Sequence, residues 1–301
     1  MKKRKHHYVW RYYLNSWAKN NLIWCYRDGK IFNPNLMGVA QSRDFYKLNE
    51  MKYEDMKIIY DSYIKPLNPN LEKINKGWIN LFNVVFLIRK FYEENNINTL
   101  ESTALVNEYI HNLEEELHAK IEKNATKYIK LILKEDVEFY RTNEGCAIFS
   151  HYICIQYFRT QKMKSNFMRN SEKFDIDIET TWNVLSHIFA TNISYGLYIN
   201  KETYRMVLLK NNTGIEFITS DHPVINTCAI GLSETTAPEE LELYYPLSPE
   251  LAILITNNIK IRNSNIIVPD KYQVENYNKI IVQESDSQIF ASSKEALLPY
   301  L

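Results

Sequence analysis

The hydrophobic pattern changes once along the 301-residue chain, and this change limits the folds open to it. From residue 49 to residue 195, apolar side chains recur at three- and four-residue spacing with charges between them, which predicts amphipathic helices. After Tyr195 the pattern becomes short β-rich runs bounded by Asn, Gly and Pro, which predicts strands. Helices and strands in separate blocks favour an α+β fold over an alternating βαβ sheet.

The spacing also places the individual elements. The predicted helices are Asn49–Leu67, Lys76–Asn95, Thr99–Asp136, Gly145–Arg169, Ile178–Tyr195 and Asp270–Gln283. The predicted strands are Tyr204–Leu209, Ile215–Thr219, Leu241–Tyr245, Leu251–Thr256 and Gln288–Ser292, and β-formers flanking Asp28-Gly29 predict an N-terminal hairpin. We expect one α+β domain with a central helical part (49–195) and a β-rich part formed by 1–48 and 196–301. The C-terminal sheet would be antiparallel or mixed, with a late helix.

The composition excludes several classes of protein. With 45% hydrophobic and 24% charged residues, the chain can bury a large core and is not a disordered segment. Its longest apolar run, Val84–Ile88, is too short to cross a bilayer, and the basic N-terminus lacks the apolar stretch of a signal peptide. Four widely spaced cysteines argue against a disulfide framework. We expect a cytoplasmic protein with no membrane contact.

Charge is distributed unevenly, although 36 basic residues balance 36 acidic ones. The segment before Asp28 carries seven cations and no carboxylate, and residues 145–171 carry four more cations and no carboxylate. Because a local field rather than net charge attracts an anionic ligand, these segments are candidate binding surfaces for phosphate. A basic tail and a solvated helix face are the simpler alternative.

Two motifs in the basic segments could carry chemistry. The first is the adjacent pair His6 and His7, since imidazoles can act as general base and acid or as metal ligands near neutral pH. The second is Gln156, Arg159 and Thr160, which would share one face of a continuous helix, with Lys162 beyond them. A guanidinium can hold a phosphate bidentately. The alternatives are a surface histidine pair and an Arg159 paired with a carboxylate of another helix.

A third motif, Thr219-Ser220-Asp221-His222-Pro223, follows a β-run and places short polar side chains at a strand end. Asp221 is the candidate carboxylate, which could bind a metal, orient a histidine or act as a base, and Ser220 is a candidate ligand for substrate. An Asx-type turn is an equally good interpretation of Asp221. The sequence contains no Walker loop, Rossmann glycine set, nucleophile elbow or His-Glu-x-x-His motif.

These motifs, in this order, resemble domain-of-unknown-function family 4238. The resemblance rests on Lys5-His6-His7-Tyr8-Val9, Trp24 with Tyr26, Asp44-Phe45-Tyr46, Gln156 with Arg159-Thr160, Thr219 to Val224 and Pro246 to Pro249. Trp10 and Gln161 stand where this family usually has proline, and we expect Gln161 to let the basic helix continue. Members look like parts of mobile, defence-type bacterial gene sets, and the resemblance implies that the recurring polar residues form one composite site.

The leading hypothesis is a hydrolase that cuts a phosphodiester, namely a nuclease of RNA or DNA acting as a defence or toxin-type effector. His6 or His7 would supply base and acid, Arg159 with Gln156 would bind the phosphate, and Asp221 would orient a histidine. Asp221 and His7 would be the ligands of any divalent metal, such as Mg²⁺ or Mn²⁺.

The competing hypothesis is a non-catalytic module that binds a nucleotide, a nucleic acid or a protein partner in the same basic groove. Self-association through the long helix Thr99–Asp136 would give a homo-oligomer. We interpret the run Glu114-Glu115-Glu116 on that helix as a solvated surface.

Overall fold

The computed structural model describes residues 2–173, 175–233, 236 and 238–301. Its α-helices are α1 (Arg11–Leu14), α2 (Tyr53–Ile59), α3 (Pro69–Glu94), α4 (Leu100–Ile132), α5 (Asn143–Phe158), α6 (Gln161–Arg169), α7 (Ile178–Ile199), α8 (Lys271–Glu284) and α9 (Lys294–Leu297). Its strands are β1 (Lys5–His7), β2 (Trp24–Arg27), β3 (Lys30–Phe32), β4 (Gln41–Arg43), β5 (Arg205–Lys210), β6 (Thr219–Ser220), β7 (Ile225–Asn226), β8 (Leu243–Pro246), β9 (Leu251–Thr256), β10 (Ile266–Ile267) and β11 (Ile289–Ala291).

The strands form three sheets, and the α+β class is confirmed. One sheet has the order β10-β5-β9-β8-β7 and is mixed, because β10 pairs in parallel with β5 while its other pairs are antiparallel. The second has the order β3-β2-β11-β6, and the third contains β1 and β4. The predicted hairpin is present as β2 and β3, with positive φ angles at Asp28 and Gly29 in its turn.

Capping side chains set the start of the long central helices. Asn68 accepts a hydrogen bond from the Leu71 N–H, and Pro69 occupies the first turn, so α3 begins before the predicted Lys76. Thr99 and Ser102 form a capping box that begins α4 near the predicted position. The two helices contact each other, and α3 packs against α7 while α4 packs against α5.

The predicted continuous helix Gly145–Arg169 is wrong, because the chain leaves the helical conformation at Thr160 and begins again as α6. Thr160 has extended backbone angles, and its hydroxyl caps α6 by accepting from the Met163 N–H. The expectation that Gln161 would let the helix continue is therefore also wrong. Thr160 therefore ends α5 without a following proline, because its hydroxyl can cap α6.

Short strands were the least well predicted elements. The expected run Ile215–Thr219 contributes only its end to β6, and β7 and β10, of two residues each, were not predicted. The expected strands near residues 205, 243, 251 and 289 are all present. Short strands form only where they pair with another strand, and their partners are distant in sequence, so local patterns do not reveal them.

Two apolar cores support the fold. The larger one lies among α3, α4, α5 and α7 and extends to the N-terminal segment, while the smaller one fills the space between the C-terminal sheets and α8. Within the described residues, no helix combines the length and apolar character needed to span a membrane.

Candidate metal centre and the predicted site residues

His6 lies on the buried side of β1, and both of its ring nitrogens contact backbone. Nδ1 accepts from the Tyr46 N–H at 2.9 Å, so the neutral ring carries its proton on Nε2 and donates to the Lys3 carbonyl at 3.2 Å. Burial lowers the pKa of His6 and favours this neutral form. These bonds leave His6 no free ring nitrogen for proton transfer to a substrate.

His7 points to the other side of β1, where it is half-buried. Burial, together with the charges of Arg11 and Arg159, lowers its pKa to about 4. Its Nδ1 has no hydrogen-bond partner among the described residues. Of the predicted catalytic groups, His7 is therefore the one with a free, neutral ring nitrogen.

Arg159 is only 4% exposed and uses its guanidinium inside the protein. Nε donates to the Tyr46 hydroxyl at 2.8 Å, Nη1 to Glu122 Oε1 at 2.5 Å and Nη2 to the His7 carbonyl at 2.6 Å. The structure thus shows the alternative interpretation, an arginine paired with a carboxylate of another helix. In this conformation Arg159 has no donor facing an external phosphate.

The other members of the predicted phosphate-binding face do not share one surface. Gln156 is buried, and its Nε2 has no partner among the described residues. Thr160 is fully buried, with its hydroxyl 2.8 Å from Nδ1 of His222. Lys162 is partly exposed and lies near enough to His222 to lower the pKa of that ring. Because the chain breaks between α5 and α6, these residues do not share one helix face.

Asp221 binds a distant segment of backbone. Its Oδ1 accepts from the Asp286 N–H, and its Oδ2 accepts from the Ser287 N–H, the Ser287 hydroxyl and the Gln288 N–H, each at 2.9 Å. Burial raises the pKa of Asp221 to about 6, and the bonds from Asp286 and Ser287 oppose that rise. Ser220 is turned inward, where its hydroxyl bonds the backbone of His222. The Asp221 carboxylate therefore holds the loop after α8.

The N-terminal segment, the end of α5 and the Thr-Ser-Asp segment do meet, as the composite-site hypothesis requires. Arg159 bonds the His7 carbonyl, Thr160 bonds His222, and the Tyr13 hydroxyl lies 2.6 Å from Oγ1 of Thr219. What they form is a buried hydrogen-bond network that joins the helical part to the sheets. Paired internal groups of this kind fix a packing arrangement.

A cluster suited to a metal lies elsewhere, between α4 and α7. Glu114, His118 and His187 each offer one donor atom, and the three atoms lie within 4.8 Å of one another. All three side chains are buried, at 2%, 2% and 0% exposure. The interpretation of Glu114 as part of a solvated surface is wrong, although Glu116 is exposed.

The spacing within this cluster matches ligands of one metal ion better than hydrogen bonds. Oε1 of Glu114 lies 3.5 Å from Nε2 of His118 and 3.4 Å from Nε2 of His187. No ring nitrogen of either histidine has a hydrogen-bond partner among the described residues. Two ligands of a tetrahedral Zn²⁺ with bonds of about 2.0–2.1 Å lie roughly 3.4 Å apart. A cation at this position would satisfy both imidazoles and the carboxylate.

The surroundings of the cluster prepare it for metal binding. The Asn183 amide donates to the second oxygen of Glu114 and orients the carboxylate. Burial raises the pKa of Glu114, but the two imidazoles outweigh it and lower the pKa to about 2. Burial and the charge of Arg159 lower the pKa of His118 to about 3. At neutral pH the carboxylate is ionised and His118 is neutral, as coordination requires.

Aromatic rings enclose the histidines. The ring of Tyr46 lies 4.6 Å from that of His118, and the rings of Trp78 and Phe82 lie 4.7 and 5.2 Å from that of His187. Two imidazoles and one carboxylate suit Zn²⁺, Fe²⁺ or Mn²⁺, whereas Mg²⁺ prefers oxygen ligands alone. Three protein ligands leave at least one coordination position for water or substrate.

A signal for this site was present in the sequence. Glu114, His118 and Glu122 follow one another at four-residue spacing, in phase with the core positions Ile110 and Ala125 of the same helix. Charged residues on the buried face of a helix need partners. The four-residue spacing therefore distinguishes Glu114, His118 and Glu122 from Glu116, which lies on the exposed face.

Comparison with curated proteins finds no match, and comparison with solved structures finds none either. A family model described as "Protein of unknown function (DUF4238)" matches residues 5–295, which is nearly the whole chain. The matched range includes the segments that form the network around Arg159 and the helices that carry Glu114, His118 and His187. The chain belongs to the DUF4238 family.

Proposed function

We propose that this protein is a metal-dependent phosphodiester hydrolase, a nuclease of RNA or DNA, with its metal bound by Glu114, His118 and His187. The observation that carries the proposal is the buried carboxylate with two unpartnered imidazoles at metal-ligand spacing. The role as a bacterial defence or toxin-type effector is a proposal that rests on the family resemblance.

The three ligands suggest how the reaction would proceed. A divalent cation held by Glu114, His118 and His187 would lower the pKa of a water bound beside these residues and so make it a better nucleophile. In the hydrolysis the water oxygen would form the new bond to phosphorus, the P–O bond to the leaving sugar oxygen would break, and the proton lost by the water would pass to that oxygen. Because all three ligands are buried, the reaction requires an opening of the helical part that admits the phosphate.

An exposed basic surface supports the proposal that the substrate is a polyanion. Arg4, Lys5 and Arg43 line a concave region of about 450 Å³ on β1 and β4, together with Gln41 and Ser42. Exposed cations of this kind attract a phosphate backbone in a salt-dependent manner. We assign to this surface the general attraction of nucleic acid that the sequence predicted for Arg159 and Lys162.

The surface and the metal cluster are connected through aromatic rings. The ring of His6, beneath the basic surface, stacks on Tyr46 at 5.4 Å, and Tyr46 contacts the ring of His118. Tyr46 therefore separates the two regions by one ring layer.

Metal analysis and nuclease assays test the proposal together. We expect purified protein to bind about one equivalent of Zn²⁺ or Mn²⁺, and we expect the His187→Ala variant to lose both the metal and the activity. The matched control is His111→Gln, which changes a buried histidine of α4 outside the cluster. Full metal binding by His187→Ala, or nuclease activity that survives EDTA, would contradict the assignment.

The burial of the cluster supports a second candidate, a non-catalytic module that binds nucleic acid, a nucleotide or a protein partner. In this case the metal would be structural, and the exposed surface at Arg4, Lys5 and Arg43 would be the binding site. The charge reversal Lys5→Glu would weaken binding, and binding would fall with salt. Removal of the metal would then lower stability without abolishing a reaction.

A further inference from the structure

The ring of His118, one of the proposed metal ligands, has no hydrogen bond that fixes its orientation. Neither of its ring nitrogens has a hydrogen-bond partner among the described residues. A histidine that binds a metal usually donates its second N–H to a carboxylate or a backbone carbonyl, and this bond sets the angle of the ring. In His118 it is Nε2 that lies 3.5 Å from Glu114, so Nδ1 is the nitrogen that lacks this support.

Two aromatic rings pack against His118 instead. The ring of Tyr46 lies 4.6 Å from it between ring centres, at an angle of 49°. The ring of His187 lies 5.3 Å from it and is nearly parallel to it. Because His187 is itself a proposed ligand, Tyr46 is the one of these two rings that contacts His118 from outside the metal centre.

Tyr46 is in turn held by polar contacts at both ends. Its hydroxyl accepts a hydrogen bond from Nε of Arg159 at 2.8 Å, and its backbone N–H donates to Nδ1 of His6 at 2.9 Å. The rings of His6 and Tyr46 also stack, with 5.4 Å between their centres. Arg159 is fixed by its pairing with Glu122 at 2.5 Å. His6 and Arg159, which the sequence suggested for catalysis and phosphate binding, therefore both hold Tyr46.

We propose that Tyr46 is a positioning residue of the metal centre, whose ring, held by Arg159 and His6, sets the orientation of His118 toward the metal. This role rests on the proposed function, because it requires the metal. Binding sites need ligands whose conformations are locked by packing or by hydrogen bonds, and here packing would do so. A carboxylate partner would make the imidazole more basic, whereas a ring contact adds no negative charge.

Tyr13 provides a matched control elsewhere in the core. It is 3% exposed, compared with 2% for Tyr46, and its hydroxyl lies 2.6 Å from Oγ1 of Thr219. Its ring stacks on that of Tyr245 with 4.8 Å between the centres. The same substitution at Tyr13 and at Tyr46 removes the same atoms from the interior. A difference in metal binding between the two variants therefore reports the contact with His118 rather than a loss of packing.

Co²⁺ binding by the full-length protein, measured in competition with a chelator, tests the inference. The visible spectrum of bound Co²⁺ depends on the geometry of its ligands, and a loss of overall stability alone does not change it. We expect Tyr46→Leu to raise the Kd for Co²⁺ about tenfold and to alter the spectrum at saturation. Tyr13→Leu should keep the wild-type spectrum and a Kd within about twofold of wild type. Tyr46→Phe keeps the ring and should recover most of the affinity, with a Kd about threefold above wild type.

The outcomes separate the role of Tyr46 from the metal centre itself. Wild type that binds Co²⁺ with the same Kd and spectrum as Tyr46→Leu, or equal effects of Tyr46→Leu and Tyr13→Leu, would overturn the role of Tyr46 alone. If Tyr46→Leu does not fold, Tyr46→Phe and Tyr13→Phe decide: a raised Kd for Tyr46→Phe alone supports the role, and equal values overturn it. Wild type that binds no Co²⁺ would overturn the metal centre and, with it, the role of Tyr46.

Discussion

His222 should make the protein lose stability in mild acid. Its ring is 3% exposed, lies 5.4 Å from the ring of Tyr157 and has Nδ1 at 2.8 Å from the Thr160 hydroxyl. Burial, with a further contribution from Lys162, lowers its pKa to about 3. A histidine ring in an unfolded chain has its ordinary pKa of about 6.5.

The sign and size of the effect follow from these two pKa values. Between pH 6.5 and pH 3 the unfolded state binds the proton and the folded state does not, so acid favours unfolding throughout this window. The value pH 5 lies about 1.5 units below the pKa of this ring in the unfolded chain, and each unit corresponds to about 1.36 kcal/mol. His222 should therefore lower the free energy of unfolding at pH 5 by about 2 kcal/mol relative to pH 7.

Urea denaturation at pH 7 and pH 5 measures this cost. The variant His222→Asn removes the titrating ring and keeps a polar group near the position of Nδ1. Other groups also titrate between these values, but they contribute equally to both proteins. We expect the loss of unfolding free energy between pH 7 and pH 5 to be about 2 kcal/mol smaller for the variant. Equal losses for the two proteins would refute the reasoning.

Four further substitutions have effects on stability that urea denaturation can measure. Arg159→Met should cost about 3–5 kcal/mol, because it leaves Glu122 as an unpaired buried charge, and adding Glu122→Gln should recover part of the loss; a change below 1 kcal/mol would contradict the pairing. Asp221→Asn should cost about 3 kcal/mol, since an amide cannot accept from all the donors around the carboxylate; unchanged stability would exclude its role in holding the loop. Gly145→Ala should cost about 3 kcal/mol or more, because its Cβ would lie 2.1 Å from a carbonyl oxygen. Gly77→Ala on α3, where a Cβ meets nothing within 4 Å, should instead gain about 0.5–1 kcal/mol.

The fold class could be predicted because local signals determine it. The spacing of apolar residues indicated the long helices, and Asp28-Gly29 indicated the hairpin. The break at Thr160 was missed because the apolar spacing continues across it, and only the backbone shows that its hydroxyl caps a new helix. Two-residue strands were missed because they depend on partners far away in the chain.

The candidate site was harder to predict for a related reason. The sequence shows that Arg159 and Asp221 are polar residues in apolar surroundings, but it does not show their partners. Glu122 precedes Arg159 by 37 residues, and the N–H groups that Asp221 binds follow it by 65 to 67 residues. Arg159 and Asp221, which looked available for a substrate, are therefore paired inside the protein. Glu114 and His187 come from helices that only the tertiary fold brings together.

The pairing of β2 with β11 has a consequence for synthesis of the chain. Trp24 lies opposite Ala291, and Tyr26 opposite Ile289, so the N-terminal hairpin joins its sheet only when nearly the whole chain is available. Contacts of such long sequence separation form slowly. On the ribosome, the hairpin would leave the exit tunnel early, and the edge of β2 would stay unpaired until β11 is synthesised. A nascent chain that stops before residue 289 would expose that edge, which makes early termination a source of aggregation.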